Sequence, residues 1–283
     1  MSTPSRELLP WPDHPAKYSK EIIPVLSNQV DDHVASHAMR SPYRILDPFA
    51  GVGGIHRLLD YGGVTSTRHT HPNTAFVVIG NELEHNWAIQ GEGPMVQGDA
   101  LCLAFPEERI DAVVTSPCYG NRMADHHEAK DPCSECDGKG RWPTERKLFN
   151  GQTLKEEAVC KKCKGNGLSA RNTYRHKYGE PLRSESAAIM QWGLEYRNFH
   201  YEAWQEVWRV LDWGGLFICN VSNHIRKGEE INVVGWHHET ILGIGFGSED
   251  FIRVPTKRNG QGDNGKVRVD HEAVLVYSKL RAA

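Results

Sequence analysis

The 283-residue sequence contains no run of 18 apolar residues, which excludes a membrane-spanning helix of ordinary length. Its start, Met1 to Arg6 followed by Pro10, Trp11 and Pro12, has no apolar stretch between a basic end and a small-residue cleavage site. No secretory leader is therefore expected, and a soluble, cytoplasmic protein is. A general excess of positive charge is also missing. The net charge of −3 excludes a protein whose whole surface is a nucleic-acid footprint. What is present is 39% hydrophobic and 24% charged residues, enough for one substantial α/β core with an insertion. There are also seven cysteines, which in a reducing compartment point to metal before they point to disulfides.

A local charge excess is hidden in the near-neutral total. From Asn121 to Arg183 there are 14 Lys plus Arg against 9 Asp plus Glu. A polyanion contact is expected there, with a solvated face of a small polar module as the other reading.

Short apolar runs alternate with helix-like segments in the first half: Tyr43 to Leu46, Ala75 to Ile79 and Ile110 to Val114. They read as buried parallel strands. The pattern resumes with a helix, His200 to Leu211, placing Tyr201, Trp204, Val207, Trp208 and Leu211 on one face, closed by Gly214-Gly215 and followed by a strand, Leu216 to Val221. Phe251 to Val254 and Ala273 to Tyr277 flank the Gly- and Lys/Arg-rich stretch Lys257 to Lys266 and predict two strands that end the sheet antiparallel. Between the halves apolar periodicity fades while Cys, Gly, Lys and Arg accumulate, the signature of an insertion.

Asp47-Pro48-Phe49-Ala50-Gly51-Val52-Gly53-Gly54 follows the first strand and precedes the helix-like Ile55 to Leu58. Glycines at such a turn let backbone approach a ligand closely and aim amides at its negative end; a tight turn that binds nothing is the plainer alternative. Glu82 follows the second strand and Asp99 the short strand Met95-Val96-Gln97. Both fall at C-terminal strand ends, the ligand edge of an open α/β sheet, where one carboxylate can accept from ribose hydroxyls and another from an adenine amino group. Either alone could instead cap a helix.

After the fourth strand comes Ser116-Pro117-Cys118-Tyr119. The loop from Asp47 to Gly53 resembles motif I of the class I DNA methyltransferases, and Ser116 to Tyr119 resembles their motif IV, usually Asp/Asn/Ser-Pro-Pro-Tyr/Phe in the enzymes that methylate exocyclic amines. His14-Pro15-Ala16-Lys17-Tyr18 is similar to the motif X segment that closes over the cofactor, and Glu272 to Lys279 to the last strand. The resemblance spans about 200 residues outside the insertion, in the order X, I, II, III, IV. It implies an α/β fold with a Rossmann-like seven-stranded methyltransferase sheet and S-adenosylmethionine as cofactor. The binding residues implied are Lys17, Asp47, Phe49, Ala50, Gly51, Gly53, Glu82 and Asp99, and the catalytic ones Ser116, Pro117, Cys118 and Tyr119. Ser116 and the Pro117 carbonyl would accept from the amino hydrogens, turning the nitrogen lone pair toward the sulfonium methyl. Tyr119 would stack on a base extruded from its helix.

Cys118 departs from the usual proline and opens a rival reading, because cytosine C5 methyltransferases place a Pro-Cys nucleophile after the same strand. Those enzymes also need a Glu-Asn-Val motif after the next strand. Here that stretch reads Cys219-Asn220-Val221, which favours amino methylation at adenine N6 or cytosine N4. RNA base methylation and a non-catalytic fold that binds nucleic acid or protein are the remaining alternatives.

Within the insertion C-x-x-C-x-G-x-G occurs twice, as Cys133, Cys136, Gly138, Gly140 and as Cys160, Cys163, Gly165, Gly167. Two thiolate pairs can close a tetrahedral four-sulfur zinc site, and the glycines permit the sharp knuckle. The repeat resembles the zinc-binding repeats of the DnaJ chaperones, from which the metal carries over and the chaperone function does not. With all four positions filled by protein, one structural zinc ion is expected. The neighbouring Lys161, Lys162, Lys164, Arg171, Arg175, His176 and Lys177, interleaved with Tyr174 and Tyr178, suit phosphates and bases of nucleic acid, with DNA the preferred partner. The expected organisation is a catalytic domain over 1–120 and 196–283, interrupted by a zinc-binding insertion over 121–195.

Overall fold

The computed structural model describes residues 18–37, 41–60, 75–120, 131–133, 135–147, 153–161, 163–165, 167–169, 182–226, 228–256 and 269–281. The chain divides into two compact units, Met1–Asn121 with Glu185–Ala283, and Arg122–Ser184. In order, the first unit contributes α1 (Ile22–Ser36), β1 (Tyr43–Asp47), a 3-10 segment (Gly54–Asp60), β2 (Phe76–Glu82), α2 (His85–Gln90), β3 (Met95–Gln97) and β4 (Ile110–Thr115). The second holds β5 (Asp131–Pro132), β6 (Arg141–Lys147), β7 (Thr153–Val159) and β8 (Leu168–Ser169). Back in the first follow a 3-10 segment (Ala187–Ile189), α3 (Leu194–Val210), β9 (Leu211–Val221), β10 (His224–Arg226), β11 (Glu229–Ile231), α4 (Val233–Ile244), β12 (Gly247–Pro255) and β13 (His271–Ser278).

Seven strands make one sheet in the order β12-β13-β9-β4-β1-β2-β3. All neighbours run parallel except β13, which is antiparallel to both β9 and β12. Alternation along the strands feeds two cores, as a sheet buried on both faces requires. On one face Tyr43, Ile45, Val78, Ala112, Val114, Ile218, Val274 and Val276 pack with Ile22, Ile23, Leu26 and Val30 of α1. On the other, Leu46, Val113, Phe217, Cys219, Leu275 and Tyr277 meet Ala203, Trp204 and Val207 of α3 and Ile241 of α4. The strand order reverses between β1 and β4, and such a switch point opens a crevice at the C-terminal strand ends. Among the described residues no helix is long and apolar enough to cross a membrane.

Two local expectations are corrected. The helix predicted over His200 to Leu211 starts earlier, at Leu194, so its inward stripe phases on Tyr196, His200, Ala203, Trp204, Val207 and Val210, and Tyr201 is 46% exposed. The helix also stops at Val210 and leads straight into β9, with Gly214 and Gly215 inside the strand rather than closing the helix. Gly215 is required there because a Cβ would lie 2.8 Å from the Asp212 carbonyl oxygen and 3.1 Å from that of Asp111. The antiparallel β12–β13 pair forms as expected; the whole stretch from Lys257 to Lys266 lies outside the described residues.

Candidate active site and cysteine centre

At the end of β1 the buried Asp47 carboxylate accepts from the Tyr18 hydroxyl (2.9 Å), the Thr115 hydroxyl (2.6 Å) and the Phe49 amide (2.9 Å). Burial dominates over these three donors and raises its pKa to about 6. The contact to Thr115 joins the loop after β1 to the end of β4. Lys17 lies outside the described residues, whereas Tyr18, its neighbour in the same segment, supplies the bond to Asp47.

The glycine loop is held from below by β2. Glu82 accepts from the Gly51 amide at one oxygen and the Glu84 amide at the other, both at 2.9 Å. Burial lifts its pKa to about 7 against those two donors. Gly51 and Gly53 have φ of 56° and 81°, the left-handed region that disfavours side chains. A Cβ on Gly53 would also collide with the Glu92 backbone. Ala50 is buried and its amide bonds the Asn81 carbonyl at 3.0 Å. Beyond the loop the chain forms a 3-10 segment of seven residues rather than a regular helix. Phe49 is half-buried against Phe199, His200 and Trp204. Asp99 is half-exposed, and its Oδ1 accepts from the Leu101 amide at 3.0 Å. Its loop is tied to the glycine loop by Asn81, whose Nδ2 donates to the carbonyls of Pro48 (3.2 Å) and Gly98 (3.1 Å).

Ser116, Pro117, Cys118 and Tyr119 follow β4 at the same edge. Ser116 Oγ lies 3.0 Å from the Tyr119 hydroxyl, which donates to Glu272 Oε2 at 3.3 Å. Asn220 Nδ2 donates to Glu272 Oε2 (2.7 Å), Ser116 Oγ (3.2 Å) and the Tyr119 oxygen (3.3 Å). The Asn220 Oδ1 is buried with no donor among the described residues, an acceptor suited to a donor that a ligand brings. Burial pushes the Cys118 thiol up to about 12, with the Glu82 charge adding to it. A nucleophilic thiolate is therefore disfavoured at neutral pH.

The carbonyl of Cys118 is fixed by a directional chain. The Trp204 indole can only donate, and does so to His237 Nδ1 at 3.0 Å, which leaves the proton of this neutral imidazole on Nε2. Burial, reinforced by His200, keeps His237 well below its ordinary pKa and therefore neutral. Nε2 then donates to the Tyr196 hydroxyl (2.8 Å), which donates to the Cys118 carbonyl (2.7 Å). Tyr196→Phe strands a buried donor and a buried acceptor together, and urea denaturation should show a loss of about 1–3 kcal/mol; unchanged stability would refute the chain as drawn.

In the second unit Cys133, Cys136, Cys160 and Cys163 are all buried, with their sulfurs within 4.8 Å of one another. Cys133 to Cys160 is 3.8 Å and Cys136 to Cys163 is 3.7 Å, close to the roughly 3.8 Å that a tetrahedron with 2.3 Å metal–sulfur bonds demands and far above a disulfide bond of about 2 Å. The two knuckles support each other reciprocally: Cys133 N donates to the Gly167 carbonyl (2.9 Å) and Cys160 N to the Gly140 carbonyl (2.8 Å). Each knuckle leaves no room for a Cβ, since one on Gly140 would strike Gly165 and one on Gly167 would strike Gly138. The four cysteines could hold one metal ion. Lys161 and Lys164 are exposed, while Lys162, Arg171, Tyr174, Arg175, His176, Lys177 and Tyr178 lie outside the described residues.

Sequence reasoning missed Tyr18, Thr115, Asn81, Tyr196, His237 and the role of Glu272. One signal was available for Glu272: an antiparallel last strand begins at the edge where parallel strands end, so a carboxylate at its start belongs to the ligand side.

No protein-family model matches the sequence and no curated protein does. Solved structures similar to it include an S-adenosylmethionine-dependent methyltransferase from Methanosarcina mazei, at 10% identity over 86% of this chain and 95% of that one, TM-score 0.44. The YcgJ protein of Bacillus subtilis is similar at 11% identity over 92% and 100%, TM-score 0.44, and the PH0226 protein of Pyrococcus horikoshii at 14% over 92% of each, TM-score 0.41. The strand order with its reversed β13 is that of a Rossmann-like α/β fold built on one seven-stranded sheet.

Proposed function

We propose that this chain transfers a methyl group from S-adenosylmethionine to the exocyclic amine of a base in DNA, at adenine N6 or cytosine N4. The observation that carries the reading is the meeting of two loops at the switch point: the glycine loop held by Glu82, and Ser116 to Tyr119 beside Asp47 through Thr115. The cofactor fits on residues present. The positive-φ glycines and buried Ala50 form a backbone cradle, Glu82 would take the ribose hydroxyls, Asp99 the adenine amine, and Phe49 would flank the site; the resemblance adds Lys17. Bound there, the cofactor supplies an electrophilic methyl group on a sulfonium. Ser116 and the Pro117 carbonyl accept from the target amine and orient its lone pair, while Tyr119 packs against the extruded base. The second unit would bind structural zinc through its four cysteines and present basic side chains to phosphates.

Labelled methyl transfer to unmethylated genomic DNA, with mass spectrometry of the nucleosides, tests this. Wild type is expected to yield N6-methyladenine or N4-methylcytosine. Ser116→Ala should lose on the order of 10²-fold in rate, and Cys118→Ser should keep most of it, because direct transfer to the amine uses no thiolate and burial keeps this thiol protonated near neutral pH. Production of 5-methylcytosine that vanishes in Cys118→Ser would overturn the amine reading.

A further inference from the structure

The cluster beyond Ser116 has a direction. A carboxylate only accepts, so the Tyr119 hydroxyl spends its single proton on Glu272 Oε2 and must take its second bond, at 3.0 Å, from the Ser116 hydroxyl. Asn220 pins all three oxygens through one amide nitrogen, so Ser116, Tyr119 and Glu272 form an ordered file from the half-exposed serine to a carboxylate that is 7% exposed. Three elements meet to build it: the loop after β4, the end of β9 and the start of β13.

We propose that Glu272 is the terminal proton acceptor of the methyl transfer, reached from the substrate amine through Ser116 and Tyr119. The inference rests on the amine-methylation reading above. The amine nitrogen forms its bond to the methyl carbon as the carbon–sulfur bond breaks, its electron pair staying on sulfur. The nitrogen, now carrying the positive charge, gives a proton to Ser116 Oγ as the serine passes its own to Tyr119 and the tyrosine passes its own to Glu272. The charge lost from the sulfonium ends as a proton that neutralises the Glu272 carboxylate, which later returns it to solvent. Glu272 acts through the two hydroxyls and does not touch the reacting atoms.

The titratable groups facing this file are Tyr18 and Asp47 from the β1 side, Glu82 from the end of β2, Cys118 beside Tyr119, Cys219 on β9, Tyr196 from α3 and His224 on β10, which bonds the Tyr119 backbone. Each would shift the profile in its own way, so the informative comparison is between wild type and two variants that interrupt the file at different places. Glu272→Gln and Tyr119→Phe both keep their side-chain shape.

Single-turnover rates at saturating cofactor, across pH in water and deuterium oxide, should show a solvent isotope effect in wild type. Both variants should lose most of it and change the pH profile, with a rate reduction on the order of 10²-fold near neutrality. A readout independent of rate is the infrared difference spectrum on mixing with substrate: a new protonated-carboxyl band in wild type that is absent from Glu272→Gln. Calorimetric cofactor affinity should be the same in all three proteins. Wild-type rate, profile and isotope effect in Glu272→Gln would overturn the relay and leave the methyltransferase reading standing. A wild-type protein that binds the cofactor but methylates no base amine overturns both.

Discussion

Changing Cys160 to serine is expected to abolish binding of the zinc ion proposed for the four cysteines and with it the fold of the 122–184 unit, the largest single effect anticipated here. Structural four-thiolate zinc contributes about 10–16 kcal/mol of apparent free energy at neutral pH, more than a small polar unit can replace. The described part of this unit offers little else: its buried cluster consists of the four cysteines themselves, and its longest pairing is the two-stranded β6–β7 hairpin, marginal on its own in water. Metal analysis of the purified protein, before and after a thiol-reactive titration that releases the ion, would establish the stoichiometry. Limited proteolysis would then show whether cleavage concentrates in residues 122–184. Full zinc content in Cys160→Ser, or a wild-type protein that folds without metal, would refute the assignment.

The second large effect concerns Glu82 and the sign of its pH dependence. The folded protein raises this carboxyl from 4.5 to about 7, chiefly through burial, so between those values the folded chain holds a proton that the unfolded chain has released. Stability contributed at this position therefore falls as pH rises from 4.5 through 7 and is level above, by about 3 kcal/mol in total. Asp47, raised to about 6, acts in the same direction. The neutral histidines His33, His200 and His237, buried, and His56 and His224, half-buried, all with lowered pKa, act in the opposite one, so the total curve mixes the two. The clean quantity is the stability of Glu82→Gln minus that of wild type, which should grow by about 3 kcal/mol between pH 4.5 and 7. A pH-independent offset is expected beneath it, because glutamine cannot accept from both the Gly51 and Glu84 amides. Cofactor binding should run the other way. Ribose hydroxyls donating to the ionised carboxylate pull its pKa down, so affinity for S-adenosylmethionine should climb with pH toward 7 with release of a proton, and Glu82→Gln should bind more weakly at neutral pH with no such climb. A stability difference that is flat with pH would remove the account of a carboxyl raised by burial.

These two residues also mark how far the sequence could be read. Glu82 was legible because a carboxylate at the end of a strand, beside a glycine turn, has a position as well as a chemistry. The four cysteines were legible because a thiolate pair with two residues between is close to a complete local instruction. Tyr201 was misjudged because the apolar residues from Tyr201 onward fit a face centred one position off, and the first turns, with Tyr196 and His200 packed inward, were not read as part of the stripe. Tyr196, His237 and Trp204 come from α3 and α4, and their hydrogen-bond chain to the Cys118 carbonyl spans 119 positions of sequence. No spacing rule connects them.

Sequence alone determined the parallel strands β1, β2 and β4, the glycine turn, the motif after β4 and the paired cysteines, because each depends on neighbours within a dozen residues. Those are the distances over which side-chain period, backbone conformation and ligand spacing act. Tertiary structure alone decided which groups face one another: the switch point that sets Asp47 beside Thr115, the Asn220 amide that gathers Ser116, Tyr119 and Glu272, and the burial that lifts Glu82 and Cys118 while holding His237 neutral. Burial and facing depend on strands far apart in the chain being folded side by side, and a carboxylate, a thiol or an imidazole takes its charge from that enclosure rather than from its sequence neighbours.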